Sequence, residues 1–330
     1  MADLQRQLLI FDRTIRLGTM DEEQILREKR DRLVRDLSLG LKKRFASTGE
    51  RAPLMRTFNQ GSYAMRTGIR PLTGEYDIDV GVVFDIDIRK HHDPVQVKSW
   101  VADALSVGAR AVQMRRSCVT VSYTERGRVT HHVDLAVYAR GRTGSLYLAR
   151  GMLNSQPRLR RWDPADPSGL IERVQNHLDG ENRAQFLRTV RLLKRWRDHC
   201  FQAEGRSAPV GIALTVLALA HFQPVLVRRS DGKYVPDDLS ALRRFIRRVL
   251  TRFELVVYDT RLVFRLPAVL PVKPRSNVLL RLSNSQMAAF RTELRTLLHV
   301  LEEVSKQNDI TAAVKGLRCV LGSDFPTDSR

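Results

Sequence analysis

This sequence predicts a two-lobed α+β protein: a first half of mixed sheet and helix, residues 1–165, and a mostly helical second half, residues 166–330, with an active site in the cleft between them. Strand patterns concentrate before about residue 165, and helical patterns dominate after it. At 330 residues the chain can hold two domains or one large one. Its hydrophobic fraction of 43% is ordinary for a globular protein and gives no sign of extensive disorder.

Thr19-Met-Asp-Glu22 has the capping-box pattern, Thr at the N-cap and Glu at the third helical position. It opens an amphipathic helix over about residues 20–45, with Ile25, Leu33, Leu37 and Leu41 near helical spacing. Gly and Pro signals follow from Gly49 to Gly74, around a short strand at Thr57-Phe-Asn-Gln60. The segment YDIDVGVVF, residues 76–84, alternates and then turns wholly apolar, which predicts a strand; residues 94–107 predict a helix. CVTVSY (118–123) and VTHHVDLAVY (129–138) flank the polar loop 124–128 as a hairpin. DPADPS (163–168) is the expected turn between the halves. Helices are predicted over 168–178, 181–200, 208–223, 237–250 and 284–306. The longest apolar run, residues 210–222, is shorter than the about 20 residues needed to span a bilayer, so it predicts a buried helix.

The formal charge of +20 comes from 56 Lys and Arg against 36 Asp and Glu. A surface for polyanions would produce it, and so would a generally arginine-rich chain; the charge favours a phosphate ligand without identifying one. Cys118, Cys200 and Cys319 have no metal-ligand spacing and fit a reducing compartment. The polar N-terminus has no apolar signal-peptide stretch. A cytoplasmic monomer without membrane insertion is expected.

Two Asp-x-Asp pairs lie close together, Asp77/Asp79 and Asp85/Asp87. Residues two apart on a strand share a face, so each pair sets two carboxylates side by side. That is tolerable in solvent, or useful where a hard divalent cation neutralises them. Three features select the first pair. Gly61-Ser62 lies just upstream, a small-residue turn whose N–H groups and hydroxyl suit a phosphate. Asp134 lies within the apolar strand VDLAVY, where a carboxylate is costly unless paired or metal-bound. Arg191-Leu-Leu-Lys194-Arg-Trp196, on a second-half helix, offers Lys194 across the cleft, anchored by Trp196. Asp85 and Asp87, beyond the apolar run and beside Arg89 and Lys90, read as surface. His131 and His132 lack a third ligand for zinc, and His132 shares a face with Asp134. Residues 91–93, His-His-Asp, read as a helix cap. Tyr63 and Tyr76 either stack on a base or simply pack.

Together these residues resemble the DNA polymerase β-like nucleotidyltransferase superfamily. More narrowly, the chain resembles the CD-NTases, the cyclic-oligonucleotide synthases of bacterial anti-phage (CBASS) defence related to cGAS and oligoadenylate synthetase. The likeness runs through Gly61-Ser62, Asp77-Ile-Asp79, His132-Val-Asp134, Leu148-Ala-Arg-Gly151, Trp162-Asp-Pro-Ala-Asp-Pro167, Leu193-Lys-Arg-Trp196 and Pro274-Arg-Ser-Asn277. It implies a polymerase-β-like core with a mixed sheet and an oligoadenylate-synthetase-like helical lobe. Asp77, Asp79 and Asp134 would bind two Mg²⁺, or Mn²⁺, with Asp134 nearest the attacking hydroxyl. Gly61 and Ser62 would hold the donor's phosphates, Lys194 would neutralise the departing pyrophosphate, and Ser207 would assist. The implied partners are nucleoside triphosphates (ATP or GTP first, pyrimidines admitted), an RNA activator and a product-activated effector protein. Two other readings stay open: a transferase adding nucleotides linearly to RNA or another acceptor, and a nucleic-acid-binding module with a decayed site.

Overall fold

The computed structural model describes residues 3–18, 20–72, 76–106, 110–125, 128–141, 143–201 and 208–327. The expected N-cap Thr19 and the candidate Ser207 lie outside them, as does the side chain of Ile25. In chain order the elements are α1 (Gln5–Ile15), α2 (Met20–Ala46), β1 (Met55–Asn59), α3 (Gly61–Ala64), β2 (Tyr76–Phe84), α4 (Pro94–Leu105), β3 (Ala111–Met114), β4 (Val119–Glu125), β5 (Arg128–Arg140), β6 (Leu146–Arg150) and β7 (Arg161–Ala165). There follow α5 (Pro167–Gln175), α6 (Gly180–Cys200), α7 (Gly211–His221), β8 (Leu226–Arg228), β9 (Tyr234–Pro236), α8 (Asp238–Leu250), β10 (Glu254–Tyr258), β11 (Arg261–Arg265), α9 (Asn284–Lys306) and α10 (Ile310–Leu321).

The first half folds into one seven-stranded mixed sheet, ordered β1-β2-β5-β4-β3, with β6 joining β5 to β7. Among the described residues only β2 and β5 run parallel; the other pairings in this sheet are antiparallel. Strand alternation divides the sheet into two faces. Val80, Val82 and Phe84 of β2, Val133, Leu135 and Val137 of β5, and Val119 and Val121 of β4 point to one side. There they bury against Leu33, Leu37 and Leu41 of α2 and Val97, Trp100 and Val101 of α4. α2 and α4 cross closely at Gly40, where any Cβ would meet the Ala104 backbone oxygen at 2.3 Å. The opposite face carries Asp77, Asp79, Asp134 and Tyr138 and turns toward the helical half.

Two expectations need correction. Residues 161–165 are the edge strand β7, not a turn: prolines fit an edge strand, which need not donate along its free side, and only Asp166 remains as the N-cap of α5, accepting from Gly169 N at 2.8 Å. Strands also continue beyond residue 165, as the small hairpins β8–β9 and β10–β11. The 210–222 run is the buried α7, and no described helix is long and apolar enough to cross a membrane.

The helical core includes α1, whose Leu8, Phe11 and Ile15 are buried in it, the helix packing against α6 and α8. Two-point hydrogen bonding ties α1 to α6: Arg191 Nε donates to Asp12 Oδ1 at 2.6 Å and Nη2 to Oδ2 at 2.9 Å, both side chains being almost fully buried. Removing one partner of such a pair strands a buried charge, which typically costs about 3–5 kcal/mol, whereas replacing both with apolar residues costs far less. Asp12→Ala is therefore expected to lower the urea midpoint sharply and Asp12→Leu/Arg191→Met to recover most of it. Equal loss in both variants would contradict this.

Candidate active site

The sheet's pairing register builds the site. Asn59 lies opposite Val80, so the chain leaving β1 passes directly over Asp79. Gln60 N–H donates to Asp79 O at 3.1 Å, and Tyr138 Oη donates to Gln60 Oε1 at 2.9 Å. This sets Gly61 at φ +66°, a left-handed conformation that favours glycine. The contact is also too close for a side chain, since a Cβ on Gly61 would lie 1.8 Å from Asp79 Oδ2. The short helix α3 follows, with Ser62 half-buried.

The parallel register sets Asp79 opposite Asp134 and Asp77 opposite His132. Asp77, Asp79, Asp134, Gly61, Ser62 and Lys194 all line one cavity of about 600 Å³. Tyr76, Tyr138, Arg197 and the start of α7 complete its walls. A larger cavity, about 1560 Å³, lies along the other face of α5 and contains none of these carboxylates; the candidate residues gather in the smaller one.

The Asp79 carboxyl is pushed up to about 6, first by burial, then by the charges of Asp134 and Asp77, with Lys194 opposing. A carboxyl whose proton affinity is raised by neighbouring carboxylates is suited to share a divalent cation with them. The Gly61 contact leaves no room for a side chain above Asp79, but a bare backbone fits. Among the described residues no three Asp, Glu, His or Cys side chains already stand as a closed metal cluster; the aspartates share a cavity from which a cation would draw them together. In donor type and in mutual repulsion, the residues fit a divalent ion.

Lys194, on α6, is buried, and its Nζ donates to Thr67 O at 2.9 Å and Thr67 Oγ1 at 3.0 Å. Its neighbour Arg191 donates to Arg66 O at 2.8 Å, and Arg195 to Arg70 O at 3.3 Å. One helix of the second half thus holds the segment that follows the Gly-Ser turn by its carbonyls. Burial, with Arg197 next, pushes the Lys194 ammonium down to about 7. A folded-state value below the unfolded one means that the unfolded chain binds the extra proton between pH 7 and about 10. Stability therefore gains with rising pH across that window. Wild-type protein is expected to show this gain in denaturation midpoint and Lys194→Met to lack it; equal slopes would contradict the assignment.

The other candidates fall elsewhere. Asp87 pairs with Arg89 at 2.8 Å and Asp85 is exposed, both on the surface as expected. His132 Nδ1 is 2.9 Å from Ser122 Oγ, and His131 is buried and stacked on Tyr123. Asp93 caps α4 by accepting from Val95 N at 2.9 Å. Tyr76 lines the cavity and Tyr63 does not. Sequence reading missed Gln60, Thr67, Thr120 and Tyr138. Of these, Thr120 donates to Asp134 Oδ1 at 2.5 Å. Strand alternation alone puts Thr120 on one face of its strand, but which residue it meets depends on the register across the hairpin.

Residues 55–138 match the model of the Cyclic GMP-AMP synthase DncV-like nucleotidyltransferase domain. Over the whole chain the fold resembles that of the Bradyrhizobium diazoefficiens CD-NTase CdnG in complex with GTP, at 15% identity and a TM-score of 0.72, covering 98% of this chain and 97% of that one. It also resembles the GTP-bound form of Vibrio cholerae DncV, at 17% identity and a TM-score of 0.61, covering 82% of this chain and 69% of that one. The DncV cyclic AMP-GMP synthase, described as a prokaryotic cGAS homolog, aligns at 17% identity with a TM-score of 0.57, covering 82% and 70%.

Proposed function

We propose that this chain, a nucleotidyltransferase of CD-NTase fold built around a DncV-like catalytic domain, joins nucleoside triphosphates into a cyclic di- or trinucleotide second messenger for anti-phage signalling. The observation that carries the reading is the meeting of Asp77, Asp79, Asp134, Gly61, Ser62 and Lys194 around one cavity between the lobes. The GTP-bound relatives support triphosphate substrates.

In each transfer an acceptor ribose hydroxyl attacks the donor's α-phosphorus, the bond to the β-phosphate oxygen breaks, and pyrophosphate leaves. Asp77, Asp79 and Asp134 would hold Mg²⁺ or Mn²⁺, which supplies charge neutralisation on the phosphates and acidifies the attacking hydroxyl. The Gly61-Ser62 turn brings N–H and O–H donors to the donor phosphates, unobstructed because position 61 has no side chain. Asp134 would take the hydroxyl proton. Lys194 meets the triphosphate from the opposite wall, and its charge is favoured as negative charge enters the cavity. Such catalysis is mostly positioning and charge stabilisation. A second transfer within the rebound linear product closes the ring. An RNA activator and a product-activated effector are the partners this reading adds.

The test is incubation with Mg²⁺ and labelled ATP, GTP, CTP and UTP, with and without RNA, followed by phosphatase and mass spectrometry. A phosphatase-resistant cyclic product supports the proposal. A ladder of extended RNA, or salt-sensitive RNA binding without turnover, would replace it with one of the two other readings.

A further inference from the structure

We infer that Thr120 is a positioning residue for Asp134, fixing one carboxylate oxygen so that the other faces the reacting groups. The inference rests on the catalytic reading of Asp134. Antiparallel pairing of β4 with β5 sets Thr120 directly opposite Asp134, while the parallel partner on the other side is Asp79. Asp134 is thus flanked by a hydroxyl donor on one strand and a second carboxylate on the other. Thr120 is 1% exposed, so water has no access to replace its bond to Asp134 Oδ1. Its β-branched side chain is stiff at χ1, which holds the donor's aim.

The hydroxyl's orientation is fixed from behind as well. Cys118, two residues earlier and just before β4, places Sγ 3.7 Å from Thr120 Oγ1. A carboxylate only accepts, so the Thr120 proton goes to Asp134 and Thr120 Oγ1 is left to accept from the thiol. The chain of donors runs one way, from Cys118 through Thr120 to Asp134. Asp134 Oδ1 is held by this chain, which on this inference presents Oδ2 to a cation or a hydroxyl proton. An outer-sphere partner of this kind typically contributes about 10–100-fold in activity or metal affinity.

The experiment compares Thr120→Val, which keeps the shape and loses the donor, with Thr120→Ser, which keeps the donor. Steady-state kinetics with the accepted triphosphates and Mn²⁺ binding by electron paramagnetic resonance are the readouts. Thr120→Val is expected to lose about 10–100-fold in kcat, with KM little changed and Mn²⁺ bound correspondingly more weakly. Thr120→Ser is expected to restore most of both. Should Thr120→Val fail to fold, Thr120→Ala carries the same test. Wild-type kcat and Mn²⁺ affinity in Thr120→Val, or a Thr120→Ser variant as impaired as Thr120→Val, would overturn the inference. Asp134→Asn separates the two levels: if it is inactive while Thr120→Val is fully active, only the role of Thr120 fails, whereas an active Asp134→Asn removes the catalytic reading itself.

Discussion

Asp79→Asn is expected to abolish nucleotidyl transfer and, at neutral pH, to raise the melting temperature of the nucleotide-free protein. The loss of turnover should exceed the about 100-fold that an outer-sphere partner contributes, because Asp79 is two residues from Asp77 on β2 and directly opposite Asp134 on β5, in the same cavity lining. The gain in stability follows from its proton affinity. Its value is raised from 3.8 to about 6 by burial, Asp134 and Asp77. A raised folded-state value means that ionisation opposes folding: the penalty is absent below about pH 4, grows as pH rises through about 6, and is complete above it. Asparagine carries no charge, so the gap in melting temperature between variant and wild type should open from pH 4 to pH 7. Mg²⁺ should then narrow it by stabilising wild type alone. A variant that is inactive and also less stable at every pH would indicate a structural role.

Gly61→Ala is expected to reduce activity nearly as far, by a different route and with the opposite sign on stability. The new Cβ would lie 1.8 Å from Asp79 Oδ2 and 2.5 Å from its Cγ, so the carboxylate must move. The left-handed backbone adds about 1–2 kcal/mol for any residue with a Cβ. Gly49 is a built-in control, since it has φ +71° but nothing within 4 Å of where a Cβ would stand. Gly49→Ala should share the backbone cost and keep full activity. If both variants lost activity alike, strain rather than displacement of Asp79 would be the cause.

Much of this arrangement was legible in the sequence, for identifiable reasons. The strand over 76–84 was visible because one face must be apolar while the other carries carboxylates, and the observed β2 spans Tyr76–Phe84. The helices α8 and α9 were visible because each buries a single stripe at helical spacing, whereas α6 buries every residue from Gln185 to Trp196. The helix α1 escaped, although it buries Leu8, Phe11 and Ile15: it is short, and its partner is α6, far along the chain. The edge strand β7 was hidden by its proline and aspartate residues, which look like a turn until β6 pairs with them. At the site, Asp77, Asp79 and Asp134 stand out as charges within apolar strands. Thr120 and Tyr138 do not, because threonine and tyrosine are ordinary strand residues and only the register decides what they face. Lys194 was legible as a candidate, but not its bond to Thr67, which depends on how the two halves dock.

The central claim is that Asp77, Asp79 and Asp134 act as one cation-dependent centre beneath the Gly61-Ser62 turn. The most direct measurement is a crystal structure with Mn²⁺ and a non-hydrolysable nucleoside triphosphate, read by anomalous scattering. Manganese peaks are expected among the three aspartates, with the donor's phosphates against Gly61 and Ser62. Phosphates bound elsewhere, or a triphosphate bound in the cavity with no manganese at the aspartates, would contradict it.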